Sequence, residues 1–316
     1  MKLIVTGAAG FIGSHFLELA LINNIEDKKF EEIVVIDSLT YASDLFYLKD
    51  LQSRFNFKFV NEDISNLIAM SKIINGDDYI VNFAAESHVD NSLNDSSKFI
   101  KSNVLGASVL LELSKLQGIK RFFQISTDEV YGTIAQGTWD EECKVNPNSP
   151  YSASKASADL ISISFHRSHG VPVIVTRSSN NYGPRQNAEK FIPKVITNIL
   201  NSTEIPVYGN GQNIRDWIYV KDNALAIWSL LLKGVPGEIY NIGGGNELSN
   251  IELIEKISFL MKSKARIVYV TDRKAHDFRY SVSINKIQNA INFKPMTDLE
   301  CGLEETIKYY MARTNI

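Results

Sequence analysis

A short β-branched run, Lys2 to Thr6, leads directly into Gly7-Ala8-Ala9-Gly10-Phe11-Ile12-Gly13, and the apolar residues after it (Phe11, Ile12, Phe16, Leu17, Ala20, Leu21) recur at helical spacing. Strand, glycine turn and helix in that order open a βαβ unit, and no other stretch restricts the fold as much. Gly7 permits the tight turn, Gly10 lets backbone amides approach a pyrophosphate, and Gly13 lets the helix pack closely on the strand. The first gap is one residue wider than in GxGxxG, so the flanking strand and helix give the glycines their meaning.

The same rhythm continues through Glu32 to Asp37, Phe57 to Asn61, Tyr79 to Phe83, Arg121 to Ser126 and Val173 to Arg177, with room for a crossover helix between successive runs. It predicts an α/β fold: a Rossmann-type, doubly wound parallel sheet buried on both faces, with ligands at the carboxyl ends of its strands. After Arg177 the alternation gives way to Tyr182-Gly183-Pro184, Gly209-Asn210-Gly211 and Gly243-Gly244-Gly245. We therefore expect a dinucleotide-binding domain over 1–178 and a smaller C-terminal lobe over 179–316, with Glu238 to Ile242 (near 238–243) returning as a strand to the main sheet.

With 316 residues, 44% hydrophobic and 22% charged, the chain has the material for a packed core. Its 33 basic and 36 acidic residues are well mixed and leave a net charge of -3, which offers no basic stripe for nucleic acid and no polybasic membrane patch. The immediate entry into a strand suggests neither a signal peptide nor a membrane span, and the isolated Cys143 and Cys301 suit a reducing compartment, so a cytoplasmic location is expected. The histidines and cysteines have no metal-site spacing, and no metal is expected.

Asp37 closes the second strand, 24 residues beyond Gly13, where a carboxylate can accept hydrogen bonds from an adenosine ribose. Its charge would repel a 2′-phosphate, which favours NAD over NADP. Sheet logic places Asp63-Ile64 beside the adenine and Phe83 to Ser87, with Ala84 and Ala85, beside the pyrophosphate and ribose.

Tyr151 and Lys155 lie one above the other on a predicted helix. A free phenol is a poor base at neutral pH, and lowering its pKa by about three units requires roughly 4 kcal/mol of differential stabilisation. A neighbouring ammonium and a nicotinamide cation could supply it. Thr127, Asp128 and Glu129 follow directly on the apolar run Arg121 to Ser126. Two carboxyl groups beside a tyrosine base exceed what alcohol oxidation needs, and suggest oxidation coupled to a second reaction such as loss of water.

On these residues the chain resembles the extended branch of the short-chain dehydrogenase/reductase superfamily, and within it the dTDP-glucose 4,6-dehydratases. The likeness runs through Thr6 to Gly13, Asp37 to Ala42 (DSLTYA), Ala84 to Asp90 (AAESHVD), Ser126 to Gly132 (STDEVYG), Tyr151 to Ala158 (YSASKASA) and Ser179 to Pro184 (SNNYGP). It continues through Pro206 to Gly209 (PVYG), Ile214 to Val220 (IRDWIYV), Tyr240 to Glu247 (YNIGGGNE) and Val270 to Asp277 (VTDRKAHD). The Thr-Asp-Glu run discriminates most, because sugar-nucleotide epimerases of this branch usually lack the Asp-Glu pair.

The resemblance implies that Tyr151 takes the 4-hydroxyl proton as hydride leaves C4 for NAD, with Thr127 holding the oxygen. Glu129 then removes the C5 proton, protonated Asp128 releases the C6 hydroxyl as water, and hydride returns to C6. Such a pair needs environments that push its two pKa values apart. Residue-by-residue matching adds Ser38, Leu39, Thr40, Ser102 and Asn181 to the cofactor side. On the side of a nucleoside-diphosphate sugar it adds Ser87, Asn180, Lys190, Phe191, Pro206, Tyr208, Arg215, Asn250, Arg273, His276 and Tyr280, with Arg215 and Arg273 as diphosphate clamps.

Two departures stand out: Arg273-Lys274-Ala275-His276 where the family usually has Arg-Pro-Gly-His, and Arg185-Gln186-Asn187-Ala188-Glu189 in place of an aromatic and proline pattern. Both lie toward the nucleotide, which leaves UDP or another carrier open beside dTDP. The resemblance also implies a homodimer built on helices near Leu105 to Gln117 and Tyr151 to His169. An epimerase or decarboxylase, or a non-catalytic NAD-binding sensor, would use the same cofactor residues without needing the acidic pair.

Overall fold

Alternate residues of the first strand enter opposite cores: Leu3 and Val5 join one apolar cluster and Ile4 the other, all with no exposed surface. This is how a strand buried on both faces packs. In the computed structural model, which describes residues 1–272 and 276–314, twelve strands are present among the described residues. They are β1 (Lys2–Thr6), β2 (Glu32–Asp37), β3 (Lys58–Asn61), β4 (Tyr79–Asn82), β5 (Arg121–Thr127) and β6 (Val173–Ser178), then β7 (Asn180–Tyr182), β8 (Glu204–Tyr208), β9 (Ile214–Tyr219), β10 (Ile239–Ile242), β11 (Glu247–Ser249) and β12 (Arg266–Val270).

Seven of them form a parallel sheet in the order β10-β6-β5-β4-β1-β2-β3. The expected return of the chain to this sheet is present: Ile239 to Ile242 pair in parallel with Val175 to Ser178. The strand order reverses around β1, so a crevice opens where the loops after β1 and β4 separate, the usual ligand position in such sheets. A buried polar ladder marks this end: Thr6 Oγ1 donates to Asn82 Oδ1 at 2.6 Å, and Asn82 Nδ2 donates to Gln124 Oε1 at 2.9 Å. These bonds join β1, β4 and β5 at one register and level their carboxyl ends.

Beyond β6, β11-β9-β7 form a small sheet and β8 pairs in parallel with β12. They surround a third core that includes Ile192, Ile196, Trp217, Leu253, Ile257 and Leu303. No helix among the described residues is long and apolar enough to cross a membrane.

Candidate active site

The glycine turn is built as its sequence demands. Gly7 has φ +68°, and a Cβ there would lie 2.5 Å from Ala84 N; a Cβ on Gly13 would lie 2.4 Å from Gly7 O. Backbone therefore occupies the space where side chains would be, and the following helix, Phe11–Asp27, starts hard against β1. Asp37 braces this turn: its carboxylate accepts from Ala9 N at 2.9 Å, Leu39 N at 2.8 Å and Ser43 Oγ at 3.0 Å.

A cavity of about 430 Å³ opens at this end of the sheet. Its wall includes Gly7, Gly10, Phe11, Ile12, Gly13, Asp37, Ser38, Thr40, Asp63, Ile64, Phe83, Ala84, Ala85, Ser87, Ser102 and Asn181 from the expected cofactor set. Leu39 is the exception: it has a left-handed backbone (φ 54°) and packs against the core. A narrow glycine cradle with a ribose-height carboxylate fits a dinucleotide, and the fit rests on the absence of Cβ atoms at Gly7, Gly10 and Gly13.

The same cavity holds Thr127, Asp128, Glu129, Tyr151 and Lys155. Strand β5 ends at Thr127, whose Oγ1 accepts from Glu129 N at 3.3 Å and caps a single 3-10 turn, Asp128–Tyr131. That turn faces the helix Pro150–His169, whose start is fixed by Pro150 at its first position and by a capping box between Ser149 and Ser152. Tyr151 and Lys155 thereby stand on its buried side, and Lys155 Nζ donates to Ile125 O at 2.5 Å. Asn103 Nδ2 donates to Glu86 O and to Ser154 Oγ, tying the loop after β4 to this helix.

Asp128 is 2% exposed; its Oδ1 accepts from Thr127 Oγ1 at 3.3 Å, and its buried Oδ2 has no hydrogen-bond partner among the described residues. Burial, then the charges of Glu129 and Asp216, push its carboxyl well above the usual carboxylate range, against the pull of Arg215. This is the environment of an acid that keeps its proton. Tyr151 departs from expectation: burial first, then the neighbouring Glu129 and Asp128, push its phenol up, while the Thr127 hydroxyl opposes them. Burial, the largest of these causes, carries the phenol opposite to the lowering expected from Lys155.

A family model described as GDP-mannose 4,6 dehydratase matches residues 4–306. A dTDP-glucose 4,6-dehydratase of Streptomyces niveus is 44% identical over 314 residues, covering 98% of this chain and 93% of that protein. The chain belongs to the dTDP-glucose 4,6-dehydratase family. Among solved dehydratases of the family, DesIV from Streptomyces venezuelae, crystallised with NAD bound, superposes with a TM-score of 0.96 at 41% identity, covering 100% of this chain and 98% of that one. A UDP-glucose 4-epimerase from Thermotoga maritima shares the scaffold at TM-score 0.90 but only 28% identity, covering 99% of this chain and 100% of the other.

Set against what the dehydratase family implies for the sugar side, the placement is uneven. Ser87, Asn180 and Lys190 line the cavity with the catalytic group, and Lys190 Nζ donates to Ser87 O at 2.9 Å. Phe191, Pro206, Tyr208, Arg215, Asn250, His276 and Tyr280 do not line it. Phe191 stacks on Trp217, Pro206 lies in β8 opposite Val268, and Asn250 opens the helix Asn250–Leu260.

Arg215 does not line this cavity. Its Nη1 donates to Ile214 O and Phe278 O, its Nη2 to Asp277 O, and its guanidinium lies 4.4 Å from the Tyr280 ring centre. Tyr208 and His276 pack edge to face, and His276 pairs with Asp272 at 2.6 Å. Arg273, the other expected clamp, and the Lys274-Ala275 departure lie outside the described residues. Residues that the sequence reading did not assign to the site line the cavity as well: Glu86, Lys98, Lys101, Ser126, Ser179, Gln186, Asn187 and Glu189. Lys101 and Ser102 reach it from a π-helical turn, Ile100–Leu105, and Lys101 Nζ pairs with Asp63 at 2.8 Å. Glu86, Ser126 and Ser179 fall inside the stretches that carry the family likeness, and the Gln186 to Glu189 group stood out as a departure from it beside Lys190, whereas Lys98 and Lys101 carried no signal.

Proposed function

We infer that the protein is an NAD-dependent hydro-lyase that converts dTDP-glucose to dTDP-4-keto-6-deoxyglucose. The observation that carries the reading is the acidic pair itself. Asp128 and Glu129 open on the same cavity as Tyr151, Lys155 and the glycine turn, and Asp128 sits where a carboxyl stays protonated.

Tyr151 takes the proton of the sugar 4-hydroxyl, and the Thr127 hydroxyl holds that oxygen. When bound, NAD accepts the C4 hydride and later returns it to C6, and its nicotinamide brings positive charge to the site. The C4 ketone acidifies the C5 proton, which Glu129 removes. Asp128 donates to the departing C6 hydroxyl, and C5 is reprotonated. Ser87, Asn180 and Lys190 bind the sugar nucleotide where the cavity meets the C-terminal lobe.

Incubation with dTDP-, UDP-, CDP- and GDP-glucose, followed by mass, tests both reaction and carrier: dTDP-glucose alone loses one water efficiently. Substrate deuterated at C4 is stricter. The label reappears at C6 of the same molecule, and washout into solvent would contradict internal hydride return.

The protein acts as a homodimer through the outward faces of two helices, Gly106–Gln117 and Pro150–His169. Leu105, which ends the π-helical turn before the first helix, and Leu116 within it (50% and 70% exposed) stand out from these faces, as does Leu160 on the second helix (59% exposed). Its two free cysteines, Cys143 and Cys301, suit a reducing cytoplasm.

A further inference from the structure

Between the helix that follows the glycine turn and the loop that leads to Lys190 stands an arginine that the steps above leave unused. Arg185 has a left-handed backbone (φ 69°), its side chain is 8% exposed, and it does not line the cavity. Its guanidinium lies 3.6 Å from the Tyr47 ring centre, and its Nη2 donates to Glu18 Oε2 at 3.0 Å and to His15 Nδ1 at 2.6 Å. His15 Nε2 donates in turn to Pro184 O at 2.9 Å. Burial, then Arg185, pull the imidazole down to about 3, so the ring stays neutral and can donate at one nitrogen while it accepts at the other. Glu18 is fixed from two further sides, accepting from the Tyr47 hydroxyl at 2.5 Å and from Arg54 Nη2 at 3.0 Å. His15 and Glu18 are three residues apart on the helix Phe11–Asp27 and share one face of it.

The residues just after Arg185 do line the cavity: Gln186, Asn187, Glu189 and Lys190. Residues 183–190 lie in neither helix nor strand, so no ladder of backbone bonds sets their place. Side chains must do so. We propose that Arg185 is a positioning residue for the sugar nucleotide: clamped to His15, Glu18 and Tyr47, it sets where the loop from Gln186 to Lys190 stands on the cavity wall. This rests on the reading of Lys190 and its surroundings as the sugar-nucleotide side. Hydrogen bonds between ionised partners are the stronger ones, and this one joins a guanidinium to a carboxylate already held by two other groups. Tyr151, Asp128 and Glu129 sit on other elements, so loss of the clamp reaches substrate binding before it reaches the chemistry.

The test compares Arg185→Met, which keeps the stem without the guanidinium, with Arg185→Lys, which keeps a donor for Glu18. In NAD-loaded enzyme Arg185→Met raises KM for dTDP-glucose by roughly tenfold and lowers kcat much less, and Arg185→Lys recovers part of the loss. Glu18→Ala, at a residue that does not line the cavity, raises KM in the same sense and adds nothing further to Arg185→Met in the double variant. An unchanged KM in Arg185→Met, a fall confined to kcat, or additive effects of the two substitutions overturns the proposal. A second readout needs no substrate: the Glu189 and Lys190 amides, which donate to Asn187 Oδ1 and O at 3.0 Å each, exchange hydrogen faster in Arg185→Met than in the parent. Equal exchange in the two also overturns it. Failure of the parent to dehydrate any sugar nucleotide would refute the functional reading, while amide exchange still reports whether Arg185 sets the loop.

Discussion

Asp128 puts stability and chemistry in conflict at a single residue. Its carboxyl is held well above the ordinary value, chiefly by burial, whereas an unfolded chain releases that proton near pH 3.9. Between those two values the folded state binds one proton more than the unfolded, so stability falls as pH rises, by about 1.4 kcal/mol per pH unit in that window. The loss is absent below the unfolded value and complete above the folded one. Asp128→Asn cannot lose the proton and escapes the penalty, but it has no acid to give. We expect dehydration to fall by about 10²- to 10⁴-fold with NAD still bound. In the absence of substrate the variant should melt higher than the parent at pH 8, with the gap closing toward pH 4. A variant less stable than the parent throughout that range would mean that the buried carboxyl is comfortably ionised, and its role as acid would have to go.

At the level of elements, the β1-turn-helix unit separates two uses of glycine. A methyl on Gly13 would meet Gly7 O at 2.4 Å and Ala8 Cα at 3.0 Å, backbone that cannot swing aside; a methyl on Gly10 would meet only Gly7 O, at 3.2 Å. Gly13→Ala should cost about 1–3 kcal/mol of stability and NAD affinity together. Gly10→Ala should leave the melting temperature nearly unchanged and weaken NAD alone. Equal loss of stability in the two, read by thermal unfolding beside NAD titration, would show that the glycines do not divide the work this way. This unit was legible because its signals are local: apolar periodicity, turn glycines, a strand-end Asp37. The Tyr151 helix was legible for the same reason, with its Ser149 cap and Pro150. The π-helical turn that brings Lys101 and Ser102 to the cavity left no such trace, since one extra residue per turn has no composition of its own. In the C-terminal lobe, β8 and β12 pair across a long stretch of chain, and Arg215 turns to backbone carbonyls that only the folded lobe brings near it. Residue matching named Arg215, but those carbonyl partners were not legible in the sequence.

For the whole molecule, the cavity is lined both by loops of the seven-stranded sheet and by residues beyond β6, and several polar links hold these parts together. Arg185 stacks 3.6 Å from the Tyr47 ring centre and donates to Glu18 at 3.0 Å, His15 bonds Pro184 O at 2.9 Å, and Lys190 reaches Ser87 O. The helix that carries Tyr151 and Lys155 on its inner side turns a different face outward: Ala153, Ser157, Leu160 and Ser164, spaced 4, 3 and 4 residues apart, form a stripe without a charge. Leu105 and Leu116, eleven residues apart and so about three helical turns, stand beside it, with Glu112 between them on the same face. A solvated face of that length ordinarily carries charges, and a second copy of the chain would bury this one in an isologous contact. In the proposed dimer the catalytic pair would lie on the back of the interface helix, so assembly should stiffen the site. Leu160→Asp should therefore convert a particle of twice the chain mass into one of a single chain mass by light scattering at micromolar concentration. It should lower kcat more than it changes KM, because Tyr151 and Lys155 lie on the far side of the same helix from the substitution. A single-chain mass for the unaltered protein under those conditions would remove the homodimer.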